Sequence, residues 1–200
     1  RELRGESCIC IDELPHKQSI CTSRSFPDGG LTNRADVEEA LANFAARCSS
    51  KMRRENTVCK AISIFAYTNR FRPDLPIDYI YQTYYPLVPT SDLNEIVGYA
   101  VGMLRSAWKG DGKFNYKKAG VLVWNIVDSL PIQGNLFDTF DREKQAQLSR
   151  AIDEINRKNG HNAIRMAVQG YSKKWHLKCE YISKQYTTNI DDIIKLKLNK

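Results

Sequence analysis

The sequence predicts an α+β fold for residues 19–130, with a four-stranded antiparallel sheet and two helices on one of its faces. The first observation is the order of the predicted elements, which is strand, helix, strand, strand, helix, strand. The second is that the two helices have similar amphipathic patterns and that each follows a strand. A split βαβ arrangement in this order places both helices on the same side of the sheet. We therefore expect the opposite sheet face to be available for a ligand.

The first half of this βαββαβ unit begins with a strand at 19–26, which is rich in small and β-compatible residues. The sequence Pro-Asp-Gly-Gly at 27–30 is a strong turn signal and ends that strand. Asp36 followed by Glu39 predicts a capping box at the start of the first helix. Apolar residues then recur at steps of three and four, which predicts one buried helix face. They are Val37, Leu41, Phe44, Ala45, Cys48 and Met52.

The second half supplies the remaining strands and the second helix. Residues 57–68 form an apolar strand, residues 78–85 alternate as a strand does, and residues 116–127 are almost continuously apolar. Asp92 followed by Glu95 repeats the capping box and predicts the second helix. Tyrosines on a sheet pack against neighbouring side chains more often than they bind bases. The tyrosines of 78–85 are therefore predicted to be packing residues.

The chain divides into four predicted segments. These are a linker at 1–18, the βαββαβ domain at 19–130, a linear motif at 131–140 and a C-terminal extension at 141–200. Within the extension the pattern predicts a helix at 141–158 and a short strand at 162–168. Apolar residues are too few after Phe140 to build a large core, so we expect the extension to need a partner to become ordered.

Charge and hydropathy indicate a soluble protein with a polyanionic partner. The net charge is +7, the pI is about 9.1 and the mean hydropathy is −0.48. The excess is uneven, because residues 1–130 carry 17 Lys and Arg against 15 Asp and Glu, whereas residues 131–200 carry 13 against 8. No apolar run approaches the ~18 residues that span a bilayer, and no export leader is present. We expect a cytoplasmic protein without membrane contact, and the missing initiator Met predicts a fragment.

The motifs of common catalytic sites are missing from the sequence. No acidic pair of the kind that holds two Mg²⁺ ions is present, nor a P-loop, a nucleophile elbow or a deaminase zinc motif. The six cysteines lack zinc-site spacing and are interpreted as reduced thiols. We therefore expect no catalysis, no metal and no cofactor in this chain.

Short hydroxyl side chains beside basic residues form the candidate DNA-binding site. Ser23, Arg24 and Ser25 lie on the first predicted strand, and such residues suit phosphate contacts that carry no base information. Lys60, Lys117 and Lys118 lie on other predicted strands of the same sheet. An RNA-recognition domain is an alternative with this topology, but the stretch starting at Lys117 lacks the aromatic residues that such domains use to stack bases.

A hexapeptide at 133–138, Gln-Gly-Asn-Leu-Phe-Asp, is the candidate protein-binding motif. A Leu-Phe pair flanked by polar residues is poorly placed for an internal core and suits docking into a partner's pocket. Gln133, Leu136 and Phe137 match the form Gln-x-x-Leu-Phe and so resemble the motif by which bacterial DNA polymerases hold the sliding clamp. The alternative is a loop whose Leu136 and Phe137 fold back onto their own domain.

An ordered set of short motifs resembles the C-terminal half of the UmuC-like, polymerase V type of Y-family DNA polymerases. The set covers essentially the whole chain. The motifs are Glu-Leu-Arg-Gly at 2–5, Ser-Arg-Ser-Phe at 23–26, Tyr-Lys-Lys-Ala-Gly-Val at 116–121, the hexapeptide at 133–138 and Tyr-Thr-Thr at 186–188.

The resemblance implies a non-catalytic part of an error-prone translesion polymerase in the SOS DNA-damage response. Residues 19–128 would be the little finger, which lays its sheet against damaged template-primer DNA, and residues 133–137 would bind the β sliding clamp. The palm and its Mg²⁺ would belong to the parent polymerase. A UmuD-type accessory subunit and the recombinase filament are further implied partners of the extension. The alternative is an interaction module that uses the clamp motif and the basic tail without contacting DNA.

Overall fold

The structure is a computed structural model of the 200-residue chain. It describes residues 1–6, 8, 16–27, 29–130, 134–138, 140–160, 162–172, 174–177 and 181–194. The regular elements are β1 (Ser19–Ser25), α1 (Arg34–Arg54), β2 (Thr57–Thr68), β3 (Tyr79–Tyr84), α2 (Leu93–Ala107), β4 (Tyr116–Asp128) and α3 (Arg142–Asn159). Short 3₁₀ turns occur at Glu2–Arg4, Ala167–Gln169 and Ile190–Asp192. No helix among the described residues is long and apolar enough to cross a membrane.

The strands form a four-stranded antiparallel sheet in the order β1-β4-β2-β3. Val121 of β4 pairs with Thr22 of β1 on one side and with Ile64 of β2 on the other. Ile64 in turn lies opposite Gln82 of the edge strand β3. The predicted element order and the predicted antiparallel sheet with helices are therefore confirmed.

One face of the sheet packs against α1 and α2 and forms the hydrophobic core. On β4, Ala119, Val121 and Val123 are fully buried on this helix-facing side. The largest fully buried side chains include Phe26, Leu41, Phe44, Met52, Ile62, Ile64, Ile96, Leu104 and Tyr116. Successive side chains of a strand point to opposite faces, so the intervening residues lie on the sheet face away from the helices. This second face is called the open face below.

The two core helices begin differently from each other. α1 begins two residues before the predicted cap, because the side chain of Asn33 accepts a hydrogen bond of 2.8 Å from the Ala35 amide. The prediction that Asp36 caps this helix is therefore wrong, and Asp36 lies in the first turn, where its charge suits the helix dipole. The prediction for Asp92 is confirmed, since its carboxylate accepts a 3.0 Å hydrogen bond from the Glu95 amide.

The helix α3 of the extension is bound to both core helices by side-chain hydrogen bonds. Arg53 near the end of α1 donates from Nε and Nη2 to the two carboxylate oxygens of Asp153, at 2.6 and 2.7 Å. The buried Ser149 hydroxyl donates to Asp92 at the start of α2, at 3.1 Å. A two-pronged Arg-carboxylate pair fixes orientation as well as distance. The extension is therefore held in a defined position on the helix layer.

Trp175 completes the attachment of the extension. Its ring is 3% exposed and meets Phe44 of α1 edge to face, with the ring centroids 5.4 Å apart. Its Nε1 donates to Glu39 at 3.1 Å, and the Asn43 side chain nearby donates to the Gln169 carbonyl at 2.8 Å. The partner on which the extension orders is therefore α1 of the same chain.

The predicted strand at 162–168 is wrong. The backbone of Ile164 makes its hydrogen bonds with the side chain of Asn156 on α3, donating at 2.8 Å and accepting at 3.0 Å. A 3₁₀ turn at Ala167–Gln169 follows, and Val168 packs against the core. The apolar residues of this segment therefore pack on helices, and the backbone of Ile164 pairs with a side chain of α3 where a strand would pair with a neighbouring strand.

Replacing Trp175 by Ala should lower the free energy of unfolding by about 3 kcal/mol, because a buried aromatic side chain and its contact with Phe44 are lost. Urea-induced unfolding of the two proteins measures this difference. Tyr181→Ala is the matched control, since the Tyr181 side chain is almost fully exposed, and it should leave stability unchanged. Equal stabilities of the Trp175 and Tyr181 variants would show that the extension is not docked through Trp175.

Candidate nucleic-acid interface and linear motif

Directly paired strand residues arrange the open face in rows that cross all four strands. One row runs from Ser25 on β1 through Lys118 on β4 and Tyr67 on β2 to Tyr79 on β3. Directly opposed side chains in an antiparallel pair lie on the same face, about 5 Å apart. This row therefore brings a hydroxyl, an ammonium group and two aromatic rings onto one surface.

The neighbouring row runs from Ser23 through Gly120 and Phe65 to Tyr81. A Cβ atom at Gly120 would overlap with the Phe65 ring and with Cβ of Ser23. Glycine is therefore required at this position because the Phe65 ring lies over the backbone of the central strand. In these two rows the β1 positions carry short hydroxyl groups, whereas the β2 and β3 positions are aromatic.

The buried hydroxyl of Ser63 connects side chains from three strands on the open face. The hydroxyl of Ser63 accepts a 2.9 Å hydrogen bond from Nε1 of Trp124 and lies 2.8 Å from the Thr83 hydroxyl. The Tyr81 hydroxyl reaches the same oxygen at 3.5 Å. These contacts join the indole on β4 to side chains on β2 and β3, so the open face is a connected surface.

The structure brings together only part of the predicted DNA-binding set. Ser23, Ser25 and Lys118 lie on the open face, in adjacent rows. Arg24 lies on the other face, with its guanidinium 5.8 Å from the centre of the Trp175 ring. Lys117 is half-buried, and its ammonium group donates to the Phe26 carbonyl at 2.6 Å.

Lys60 is exposed near the start of β2. It lies seven residues along the strand from Tyr67, the residue that pairs with Lys118. At the rise of a β-strand this separation is about 23 Å. Lys60 and Lys118 therefore mark opposite ends of the sheet, and a single phosphate group does not bridge them.

The predicted linear motif is exposed where the structure describes it. Leu136 is 95% exposed and Phe137 is 79% exposed, whereas Gln133 lies outside the described residues. The Asp138 amide donates to the Asn135 carbonyl at 3.0 Å, and the Phe137 amide donates to the Asn135 side chain at 2.9 Å. Asn135 therefore holds a tight turn from which both apolar side chains point into solvent. The alternative that Leu136 and Phe137 fold back onto their own domain does not agree with this exposure.

An arginine joins this turn to the folded domain. Arg142 donates from Nε and Nη2 to the carboxylate of Asp138, at 2.6 and 3.2 Å, and from Nη1 to Glu95 of α2 at 2.7 Å. The Glu95 side chain is buried and also accepts a hydrogen bond from the Thr90 hydroxyl. The Arg142 guanidinium holds the pKa of Asp138 below its ordinary value. The three linked side chains of Asp138, Arg142 and Glu95 are called the anchor below.

Sequence reasoning missed the anchor. It interpreted Glu95 as the second half of a capping box, but the carboxylate of Glu95 lies against Thr90 and Arg142. Arg142 is separated from Glu95 by 47 positions, so no helical spacing links them. The available signal was the four-residue step between Asp138 and Arg142 at a helix start, which suits an ion pair.

The buried thiols are protonated at neutral pH. Burial raises the pKa of Cys48 to about 11 and that of Cys59 to about 12. Cys8 and Cys21 are exposed and free, and Cys10 and Cys179 lie outside the described residues. No group of three or more His, Cys, Asp or Glu side chains that could hold a metal ion occurs among the described residues.

Two family models match the chain in succession. Residues 17–136 match the impB/mucB/samB family C-terminal domain, and residues 146–196 match the Domain of unknown function (DUF4113). The first match covers the sheet, α1 and α2, and the second covers most of α3 and the segment that carries Trp175. The chain belongs to the impB/mucB/samB family.

Curated relatives extend the similarity over nearly the whole chain. The chain is 36% identical over 199 residues to Protein UmuC of Salmonella typhimurium, covering 98% of this chain and 46% of that protein. It is 36% identical over 200 residues to Protein SamB of the same species and 33% identical over 192 residues to Protein MucB of Escherichia coli, covering 99% and 94% of this chain and 46% and 44% of those proteins. The chain thus spans about half the length of these relatives.

A solved structure, the insertion ternary complex of Dbh DNA polymerase, also matches the chain. The TM-score is 0.44 and the sequence identity 15%, over 55% of this chain and 29% of that one.

Replacing Arg142 by Ala should destabilise the protein by about 2 kcal/mol, because the buried Glu95 carboxylate loses its charged partner. Chemical unfolding measures the difference. Arg150→Ala, an exposed position on the same helix, is the matched control and should cost almost nothing. Adding Glu95→Gln to the Arg142 variant should recover part of the loss, since the unpaired charge is then removed. An Arg142 variant as stable as the Arg150 variant would contradict the anchor.

Proposed function

We propose that the chain is the non-catalytic C-terminal part of an error-prone translesion DNA polymerase of the UmuC type, acting in the cytoplasm in the bacterial DNA-damage response. Its sheet domain holds the template-primer duplex, and its linear motif tethers the polymerase to the β sliding clamp. The observation that carries the proposal is the Leu136-Phe137 turn. It exposes two large apolar side chains at the position of a clamp-like motif, in a chain related to UmuC.

Side chains suited to phosphate contacts on β1 and β4 support the DNA-binding part of the proposal. Ser23 and Ser25 have short hydroxyls that would permit close approach of a phosphate, and Lys118 adds a positive charge beside them. Contacts of this kind fix the position of a duplex without reading its sequence. A polymerase that crosses damaged template needs such sequence-independent holding, because the bases it meets differ from site to site.

The turn at 135–138 supports the clamp-binding part. Leu136 and Phe137 would each stabilise a complex by about 1.5–3 kcal/mol on burial in a pocket, less the cost of ordering the peptide. The turn is already formed by Asn135 and attached to the domain by Arg142, which reduces that ordering cost. A tether raises the local concentration of the polymerase at DNA without adding chemistry.

The proposal assigns catalysis and its Mg²⁺ to the part of the parent polymerase that this chain does not span. The DUF4113 region offers a surface for the UmuD-type subunit or the recombinase filament that the resemblance implies. The Asp153 side chain and the Gln169 carbonyl already accept hydrogen bonds from α1, so a partner would meet a preformed surface.

Replacing Lys118 by Ala should weaken duplex binding and reduce the slope of log K against log salt concentration by about 0.9, because one phosphate contact is lost. Fluorescence anisotropy of a labelled duplex at several salt concentrations measures the slope. Lys158→Ala, which removes the same charge from α3, is the matched control and should leave the slope unchanged. Arg24→Ala should also leave it unchanged, since Arg24 lies on the helix side.

An unchanged slope in the Lys118 variant would remove the open face as the duplex-binding surface. Absence of any duplex binding by the chain, together with intact clamp binding, would instead favour the alternative of a pure protein-interaction module. Residues 1–130 are nearly balanced in charge, so their net charge alone does not predict duplex binding by the sheet domain.

Replacing Leu136 and Phe137 by Ala should abolish binding to the sliding clamp, because both pocket-filling groups are lost. Duplex affinity and thermal stability should remain at the parent level, since both side chains are exposed. Surface plasmon resonance on immobilised clamp measures the interaction. The matched control is Tyr181→Ala with Ile182→Ala, an exposed apolar pair elsewhere in the chain. Clamp binding by the Leu136-Phe137 variant at the parent affinity would exclude the tether.

A further inference from the structure

Four aromatic rings form a continuous cluster on the β2-β3 half of the open face. Phe65 and Tyr67 on β2 lie 6.2 Å apart between ring centres, with planes 16° apart, and Tyr79 and Tyr81 on β3 lie 6.2 Å apart with planes 8° apart. Tyr67 and Tyr79 connect the two strands at 6.4 Å. These four residues are called the aromatic cluster below.

The β3 side of the aromatic cluster is open to solvent. Tyr79 is 60% exposed and Tyr81 is 48% exposed, although both lie on the face of a four-stranded sheet. The described part of the C-terminal extension packs on the opposite side, where Trp175 meets Phe44. Packing on the sheet, which was predicted for the tyrosines of this strand, therefore accounts for only part of the surface of each side chain. The remaining surface faces solvent in the part of the chain that the structure describes.

The neighbours of the aromatic cluster indicate which ligand it suits. Lys118 is directly opposite Tyr67 on the adjacent strand, and Ser25 continues the same row. A cation and a hydroxyl within one strand spacing of stacked rings match the two parts of a nucleotide, its phosphate and its base. An apolar protein surface would offer no charged or polar partner to the ammonium group of Lys118.

Single-stranded DNA fits this surface better than a duplex does. In a duplex the flat faces of the bases are covered by their neighbours, so only unpaired bases can stack on a protein ring. Aromatic side chains bind successive bases of a single strand in this way, with little sequence preference. The positive net charge of the chain, +7, favours a polyanion over a neutral ligand.

We propose that the aromatic cluster binds unpaired bases of single-stranded DNA by stacking, while the row of Lys118 and Ser25 contacts the sugar-phosphate backbone. This inference goes beyond the proposed function, because it assigns unpaired bases to the aromatic residues of β2 and β3. Lys118 and Ser25 would contact the phosphates of both forms of DNA, since a translesion polymerase meets unpaired template next to the duplex that it holds. The hydrogen bond from the Tyr81 hydroxyl to Ser63 orients the Tyr81 ring across the sheet.

The test compares single-stranded and duplex DNA on the full chain. Tyr79→Ala with Tyr81→Ala should weaken binding of a labelled thymidine oligonucleotide by about tenfold or more, the equivalent of losing one stacked base. Affinity for a blunt duplex of the same length should not change. Tyr79→Phe with Tyr81→Phe should retain single-strand binding, because the rings remain. Tyr171→Ala with Tyr181→Ala, two exposed tyrosines outside the sheet, is the matched control.

Parent-level single-strand binding by the Tyr79-Tyr81 alanine variant would overturn the inference, as would an equal loss for both DNA forms. Should that variant fail to fold, quenching of 2-aminopurine in a single strand by the parent protein gives a second measurement. Quenching that persists in the phenylalanine variant supports stacking, and absence of quenching overturns it. The Lys118 salt-slope measurement on blunt duplex tests the proposed function separately, so failure of either proposal is distinguishable from failure of the other.

Discussion

The two-residue alternation of the central strand β4 is the constraint on which the rest of this structure depends. Ala119, Val121 and Val123 are completely buried under the helices, so the residues that alternate with them along β4 must face the other way. The alternating positions include Lys118 and Gly120, which define the middle of the open face. A one-residue shift in register would bury the ammonium group and expose the core, which makes the register strongly specified. The open face is thus fixed by the same alternation that forms the core.

The extension packs on the helix side of the domain and so preserves this two-sided arrangement. It binds the outer surface of the helix layer through Arg53, Asn43 and Phe44, and its described part therefore leaves the open face uncovered. The linear motif lies on the connection from β4 to α3, between the sheet domain and the docked extension. Because α3 is held at Asp153 and the turn at Asp138, the Leu-Phe pair extends from a fixed point on the domain. Proposed DNA and clamp contacts thereby use different surfaces and do not compete.

Much of the fold was predictable, because it follows from local patterns. The strand at 57–68 and the Asp92 cap were predicted at the positions that the structure gives. The separation of Arg24 from Ser23 and Ser25 was also available from the period of two, although residue type grouped them together. Long-range partners were not predictable. Trp175 packs against Phe44, which lies 131 positions earlier in the sequence, and nothing in the local sequence of either residue indicates this contact.

The anchor was not predictable from local sequence patterns, and its contribution to stability depends on pH. Its buried member, Glu95, depends on the charge of Arg142, and Arg142 also binds Asp138. A carboxylate whose pKa is lowered in the folded protein stabilises it at pH values above its ordinary pKa. That contribution is lost only as the pH falls through the lowered value. The turn that presents Leu136 and Phe137 therefore keeps its attachment to Arg142 throughout the neutral range, and that attachment weakens only in acid, when Asp138 is protonated. Exposure of the Leu136-Phe137 pair is consequently a constant property of the domain near neutral pH.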